Sequence, residues 1–248
     1  LLESVNHNDN NRYSILFAFP GKSIVLNNFS DFNFLSELEK QFKSNNLKTK
    51  LPFSGGWFVY LSYELIGQLE PILSKELCTS ELPIAYAVKI PSAIIIDHQL
   101  NNTYLIDQDN DQNRIDTMLK DIELIKPIPE ENILGGLSQE NEDKFISGVK
   151  ACLDYIVAGD VFQVNLSRQW QYILTKEIDS AIIYHALKNS NPAPFSALIQ
   201  YENFSIVSSS PERLFSVQEG VLQTRPIAGT HPRGQGSEDE AQKEGLIS

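Results

Sequence analysis

Ser196-Ala197-Leu198-Ile199-Gln200-Tyr201-Glu202-Asn203-Phe204-Ser205-Ile206-Val207-Ser208 holds two β-prone runs on either side of Glu202-Asn203. Apolar runs separated by a two-residue polar break read as a hairpin, which joins neighbouring strands antiparallel. Leu214–Val217 and Val221–Thr224 repeat the pattern about Glu219-Gly220. Further strands are expected at Tyr13–Phe19 and Ser23–Leu26 around Pro20-Gly21, and at Ile84–Ile90, Ala93–Asp97 and Thr103–Asp107. Trp57–Tyr63 is apolar on both faces, as a buried strand would be. Phe162-Gln163-Val164-Asn165-Leu166-Ser167 alternates with period two and reads as a strand with one polar face.

Helical spacing marks Phe34, Leu35, Leu38 and Phe42, with Asp31 as the cap, and then Ile115, Met118, Leu119 and Ile122. It recurs at Phe145, Val149, Cys152 and Ile156, before Gly159, and in a short helix over Asp179–Asn189 that Asn191-Pro192 stops. Strands that pair locally, mixed with helices, give the α+β class on antiparallel sheet. Lys126–Asn132 is proline-rich, charged and aperiodic, so a linker over 126–137 separates a first region, 1–125, from a second, 138–248.

The net charge of −12 argues against a nucleic-acid or anionic-membrane surface. No apolar run approaches the roughly 18–20 residues of a membrane span. The cysteines, Cys78 and Cys152, form no CxxC pattern, and a cytoplasmic protein is expected. The four histidines have no ligand-like spacing. The chain opens without Met and stops inside a helical pattern, so it reads as a piece of a longer protein.

Against this acidic background, Thr224-Arg225-Pro226-Ile227-Ala228-Gly229-Thr230-His231-Pro232-Arg233-Gly234 is rigid and basic. Two arginines suit carboxylates or phosphates, and two glycines let a ligand approach the backbone. The loop is either an anion site or a surface turn with solvated arginines. Glu212, in Ser210-Pro211-Glu212-Arg213, is either a general acid or an exposed partner of Arg213. Gln163, Asn165 and Ser167 either face a wet cavity or make ordinary hydrogen bonds.

Read in order, Ala158–Ser167, Ser210–Arg213 and Thr224–Gly234 resemble the signatures of the chorismate-using enzymes. The resemblance is to the large subunits, component I, of anthranilate synthase and aminodeoxychorismate synthase. Leu1-Leu2-Glu3-Ser4, Pro52–Trp57 and Leu61–Leu65 agree, so it spans essentially the whole chain. It implies a largely antiparallel two-sheet core wrapped by helices. Residues 1–125 are then the N-terminal region of component I, and 138–248 the first half of the chorismate-binding domain.

The resemblance also implies amination of chorismate, with Mg²⁺ and with ammonia from a glutaminase partner. Glu212 matches the acid that helps the C4 hydroxyl leave, and Asn165 lies on a strand of the catalytic pocket. Gly229 and Thr230 match substrate-binding residues. Ala228 stands where many aminodeoxychorismate synthases carry a lysine that attacks the ring, and alanine is the anthranilate pattern. Gln163–Leu166, and Gly55-Gly56-Trp57 with Tyr63–Pro71, nevertheless resemble the aminodeoxychorismate branch, which serves p-aminobenzoate and folate synthesis. The chain is assigned there, with anthranilate synthase as the alternative.

Ser4, Pro194, Phe195 and Ser196 match the two halves of the family's tryptophan pocket, with Ser196 where inhibited members carry Met. The Mg²⁺ ligands are expected beyond Ser248, so these 248 residues are expected to be inactive alone. The rival from another class is a truncated, non-catalytic module that binds an amino acid or a partner subunit.

Overall fold

The hairpin over 196–208 forms as β10 (Phe195–Tyr201) and β11 (Phe204–Ser210), in register from Phe195↔Ser210 to Tyr201↔Phe204. Glu202 makes the turn with a φ of 46°. The structure is a computed structural model describing residues 1–5, 12–42, 50–73, 82–227, 232, 234 and 236–247. The other strands are β1 (Leu2–Glu3), β2 (Tyr13–Ala18), β3 (Ser23–Leu26), β4 (Gly56–Leu61), β5 (Ala85–Ile90), β6 (Ser92–Asp97), β7 (Asn102–Asp107), β8 (Gly135–Gln139), β9 (Trp170–Leu174), β12 (Ser216–Gln218) and β13 (Val221–Gln223). The helices are α1 (Phe34–Gln41), α2 (Ile66–Leu69), α3 (Gln112–Glu123), α4 (Glu142–Ala158), α5 (Ser180–Ser190) and α6 (Ser237–Ile247).

The chain forms two compact units, Leu1–Pro127 with Leu187–Ser248, and Ile128–Ala186. The first contains a six-stranded sheet in the order β11-β10-β1-β2-β6-β7, a three-stranded sheet β3-β5-β4, and the β12–β13 hairpin. Every strand pairing among the described residues is antiparallel, which makes the class α+β. The two larger sheets meet through Phe17 with Phe58, ring centres 5.8 Å apart, and Tyr86 with Tyr201, 4.7 Å apart. Under α1 lies a core of Ile24, Leu26, Phe34, Leu65, Ala85 and Ala87, flanked by Trp57. Phe34 and Leu38, four apart, turn from α1 into this core, whereas Leu35 and Phe42 of the expected stripe are exposed.

Several expectations change. The α1 cap is Asn33, whose side chain accepts from the Ser36 amide at 2.9 Å, whereas Asp31 accepts from the Asn28 amide. The expected buried strand at 57–63 is β4, an edge strand of its sheet with Val59 and Leu61 exposed. Val59 and Leu61 alternate onto one uncovered face, so apolarity alone overstated the burial. The boundary near residue 126 coincides with the end of the first stretch of unit one, but residues 187–248 rejoin that unit because β10 pairs with β1. β8 lies partly inside the expected linker.

In the second unit, β8 pairs with β9 from Gly135↔Leu174 to Gln139↔Trp170. α4 starts at the Asn141 cap and ends at Gly159 in the left-handed region, as its sequence implies. Residues 162–167, expected as a strand, are irregular. A period-two pattern becomes a strand only where a neighbour takes its backbone donors and acceptors. Within this unit β8 has β9 as its partner, while Leu166 lies against α4 near Gly148.

Candidate ligand pocket

The hairpin register carries the chain back past its own start. Because Phe195 faces Ser210, the residues after Ser210 return to the segment before Phe195. Arg213 therefore sits with its guanidinium carbon 6.0 Å from the Phe195 ring centre. On the other side of β10, β1 pairs through Leu2↔Ala197 and Glu3↔Ser196. These segments, with Arg12, Tyr13 and Ile15 at the start of β2 and with Pro52, enclose a pocket of about 340 Å³. That volume lies at the lower end of the range for small-molecule sites, and mostly apolar walls with few polar groups are typical of them.

Its polar groups differ in how far they are already committed. Glu3 accepts from the Lys188 ammonium at 3.0 and 3.2 Å. Arg12 grips Asp97 with two bonds, Nε to Oδ1 at 2.8 Å and Nη2 to Oδ2 at 2.6 Å. Asp97 is 1% exposed and also accepts from the Gln99 and Leu100 amides. The Arg12 hydrogen bond, helped by those amides, holds its carboxyl at about 2, well below the ordinary 3.8. Arg213 differs: it forms no ion pair among the described residues, and its buried Nε has no hydrogen-bond partner. Buried polar groups are normally paired, so this guanidinium is suited to an incoming acceptor such as a carboxylate.

The Asp97 environment has a consequence for acid stability. A carboxyl depressed in the folded state stabilises fully above its unfolded value, and that contribution disappears as pH falls through the folded value. Lowering the pH from about 4 to about 2 should lower the urea midpoint of the wild type through this group. Asp97→Asn should lack that component, giving a shallower acid limb. Parallel acid limbs would exclude the linkage.

Four of the residues anticipated from sequence come together here. Ser4 Oγ donates to the Pro194 carbonyl at 3.2 Å, and Ser196 Oγ donates to the Ala193 carbonyl at 3.1 Å. Ser196 is 1% exposed, and Pro194 and Phe195 line the same wall. Arg12 and Arg213 were missed as pocket residues. Counting back through the 196–208 hairpin would have found Arg213, but nothing local marks Arg12.

Glu212 is exposed in the turn after β11, where its amide meets the Ser210 hydroxyl at 3.4 Å. No ion pair to Arg213 forms. Asn165 is exposed in the irregular segment of the second unit. Ala228, Gly229, Thr230, His231 and Arg233 lie outside the described residues. Among the described residues no group of three or more His, Cys, Asp or Glu side chains could hold a metal ion. Nor is any described helix long and apolar enough to cross a membrane.

The family described as chorismate binding enzyme matches residues 3–248. The chain is 30% identical over 245 residues to an anthranilate synthase component I-like protein of Synechocystis, covering 96% of this chain and 50% of that protein. It is 34% identical over 209 residues to aminodeoxychorismate synthase component 1 of Bacillus subtilis, covering 79% of this chain and 44% of that protein. The crystal structure of anthranilate synthase component I from Streptococcus pneumoniae superposes with a TM-score of 0.72 at 24% identity, covering 99% of this chain and 59% of that one. The chain spans about half the length of the curated relatives it matches. With a match running from residue 3 to residue 248, the chain belongs to the chorismate binding enzyme family.

Proposed function

We propose that this chain is part of component I of aminodeoxychorismate synthase, a cytoplasmic enzyme that aminates chorismate at C4 with ammonia from a glutaminase partner. The observation that carries this reading is the 34% identity to the Bacillus subtilis aminodeoxychorismate synthase component, together with the Gln163–Leu166 stretch around Asn165. Glu212 supplies the proton with which the C4 hydroxyl departs as water, and ammonia supplies the nitrogen. Ala228 offers no amine, so no covalent enzyme intermediate forms at that position. Gly229 and Thr230 hold substrate, and the ligands for Mg²⁺ come from the remainder of the chain. The exposed setting of Glu212 becomes a catalytic one only when the rest of the site closes over it.

A specific observation favours a second reading. Ala228 is the pattern of the anthranilate synthases, and several relatives carry that name. The product decides. Full-length protein with glutaminase, glutamine and Mg²⁺ should convert chorismate to aminodeoxychorismate, which a lyase then turns into p-aminobenzoate. Fluorescent anthranilate as the sole product transfers the assignment to the second reading. The same assay with added tryptophan tests the pocket at Ser4 and Ser196 as an amino-acid site. Saturable inhibition, or saturable binding without inhibition, supports such a site; neither leaves the pocket to packing.

A further inference from the structure

A second concavity, of about 980 Å³, lies in the first unit, lined among others by Lys22, Lys40, Trp57, Lys89 and Gln108. Its charge is unusual for so acidic a chain. The Lys89 amide donates to the Lys22 carbonyl at 2.9 Å, one step beyond the Ser23↔Val88 pair. Two lysines thus oppose each other across neighbouring strands, and both face the same groove. Like charges directly opposite on a sheet are destabilising. Neither ammonium forms an ion pair among the described residues.

The one carboxylate in the lining is shared among them: Glu37 feels the Lys22 charge, but its hydrogen bonds go elsewhere. Glu37 accepts from Gln41 at 2.7 Å through one oxygen and from Lys40 at 3.4 Å through the other. Three ammoniums therefore face one engaged carboxylate. The floor is fixed by a close approach: Gly55 has a φ of +100°, and a Cβ there would stand 2.5 Å from Gln108 Oε1. Only glycine fits that backbone, which locks the Ser54–Gly56 loop against Gln108. Trp57, opposite Lys89 on β4, adds an aromatic wall.

We propose that this groove binds a small, multiply charged anion, held by Lys22 and Lys89 with Lys40 at the rim. The shared chemistry is a compact cluster of anionic oxygens, from either a phosphorylated or a polycarboxylate molecule. The anion replaces the carboxylate that the sheet lacks between the two lysines. The site is separate from the pocket around Ser4 and Ser196, and nothing in its construction requires the chorismate reading.

The test titrates the protein with pyrophosphate and, separately, with citrate, at constant ionic strength, following heat of binding and Tm. One or both anions should bind saturably and raise Tm, as a ligand of the native state must. Lys22→Gln with Lys89→Gln should weaken that binding roughly tenfold or more, as expected for losing hydrogen bonds to charged groups. Lys150→Gln, in α4, should leave it unchanged. Without ligand the double variant should be at least as stable as the wild type, because the like-charge pair is gone. Pyrophosphate binding alone assigns the phosphate class, and citrate alone the carboxylate class. Failure of both to bind at millimolar concentration overturns the site. So does binding that survives the double substitution, or a loss of ligand-free stability in it.

Discussion

Glu212→Gln in the full-length enzyme should lower kcat by about 10²–10⁴-fold and change the chorismate KM far less. A hydroxyl leaves poorly without a proton, and glutamine keeps the size of the side chain while lacking a proton to give. An interaction made only in the transition state lowers kcat and kcat/KM together, and that split identifies the role. The structure sharpens the test, because Glu212 is exposed and no ion pair ties it to Arg213. A purely structural carboxylate would need a partner whose loss is felt, and the Glu212 carboxylate has none among the described residues. If kcat stays within about twofold, far below the catalytic range, the acid lies elsewhere in the complete site.

The largest stability effect is expected at Phe34. Its side chain is completely buried between α1 and the three-stranded sheet, against Leu26, Leu65 and Ala85. Truncation removes an aromatic ring and leaves a cavity that a sheet and a helix cannot collapse. Phe34→Ala should therefore cost about 3–5 kcal/mol. Trp57 packs on the same cluster, and the other tryptophan, Trp170, lies in the second unit. In a Trp170→Phe background, Trp57 fluorescence follows this core alone. The urea midpoint should fall with an unchanged slope, whereas Leu69→Ala, at an exposed position, should stay within about 0.5 kcal/mol. A Phe34→Ala loss below about 1 kcal/mol would mean that the core is not packed as described.

What could be read ahead of the structure follows the range of the forces involved. The 196–208 hairpin and α4 with its Gly159 stop were legible because turn chemistry and helical periodicity act over a few residues. Phe162–Ser167 showed the limit of periodicity: alternation describes two faces, and a strand also needs a neighbour. β1 was invisible because two residues carry no period, and its partners lie at opposite ends of the chain. The two halves of the Ser4–Ser196 pocket were joined by resemblance to a family, not by local physics. Arg12 could not be found that way, since its role depends on Asp97 arriving from β6. Nor could the Lys22–Lys89 opposition, which exists only once β3 and β5 are in register.

β1 also sets a timetable. Leu1 and Leu198 stand 197 positions apart, yet the Leu198 amide donates to the Leu1 carbonyl at 3.0 Å. On the ribosome the first residues emerge long before their partner strand has been made. At about 5–20 residues per second, the interval is on the order of ten to forty seconds. During it β2 can pair with β6 on one side and with β1 on the other, while the outer edge of β1 waits for β10. An uncovered strand edge invites pairing with another chain. The nascent protein therefore passes through a window in which its sheet is half sewn, and a holding chaperone would have most to protect at the β1 edge until β10 and β11 arrive.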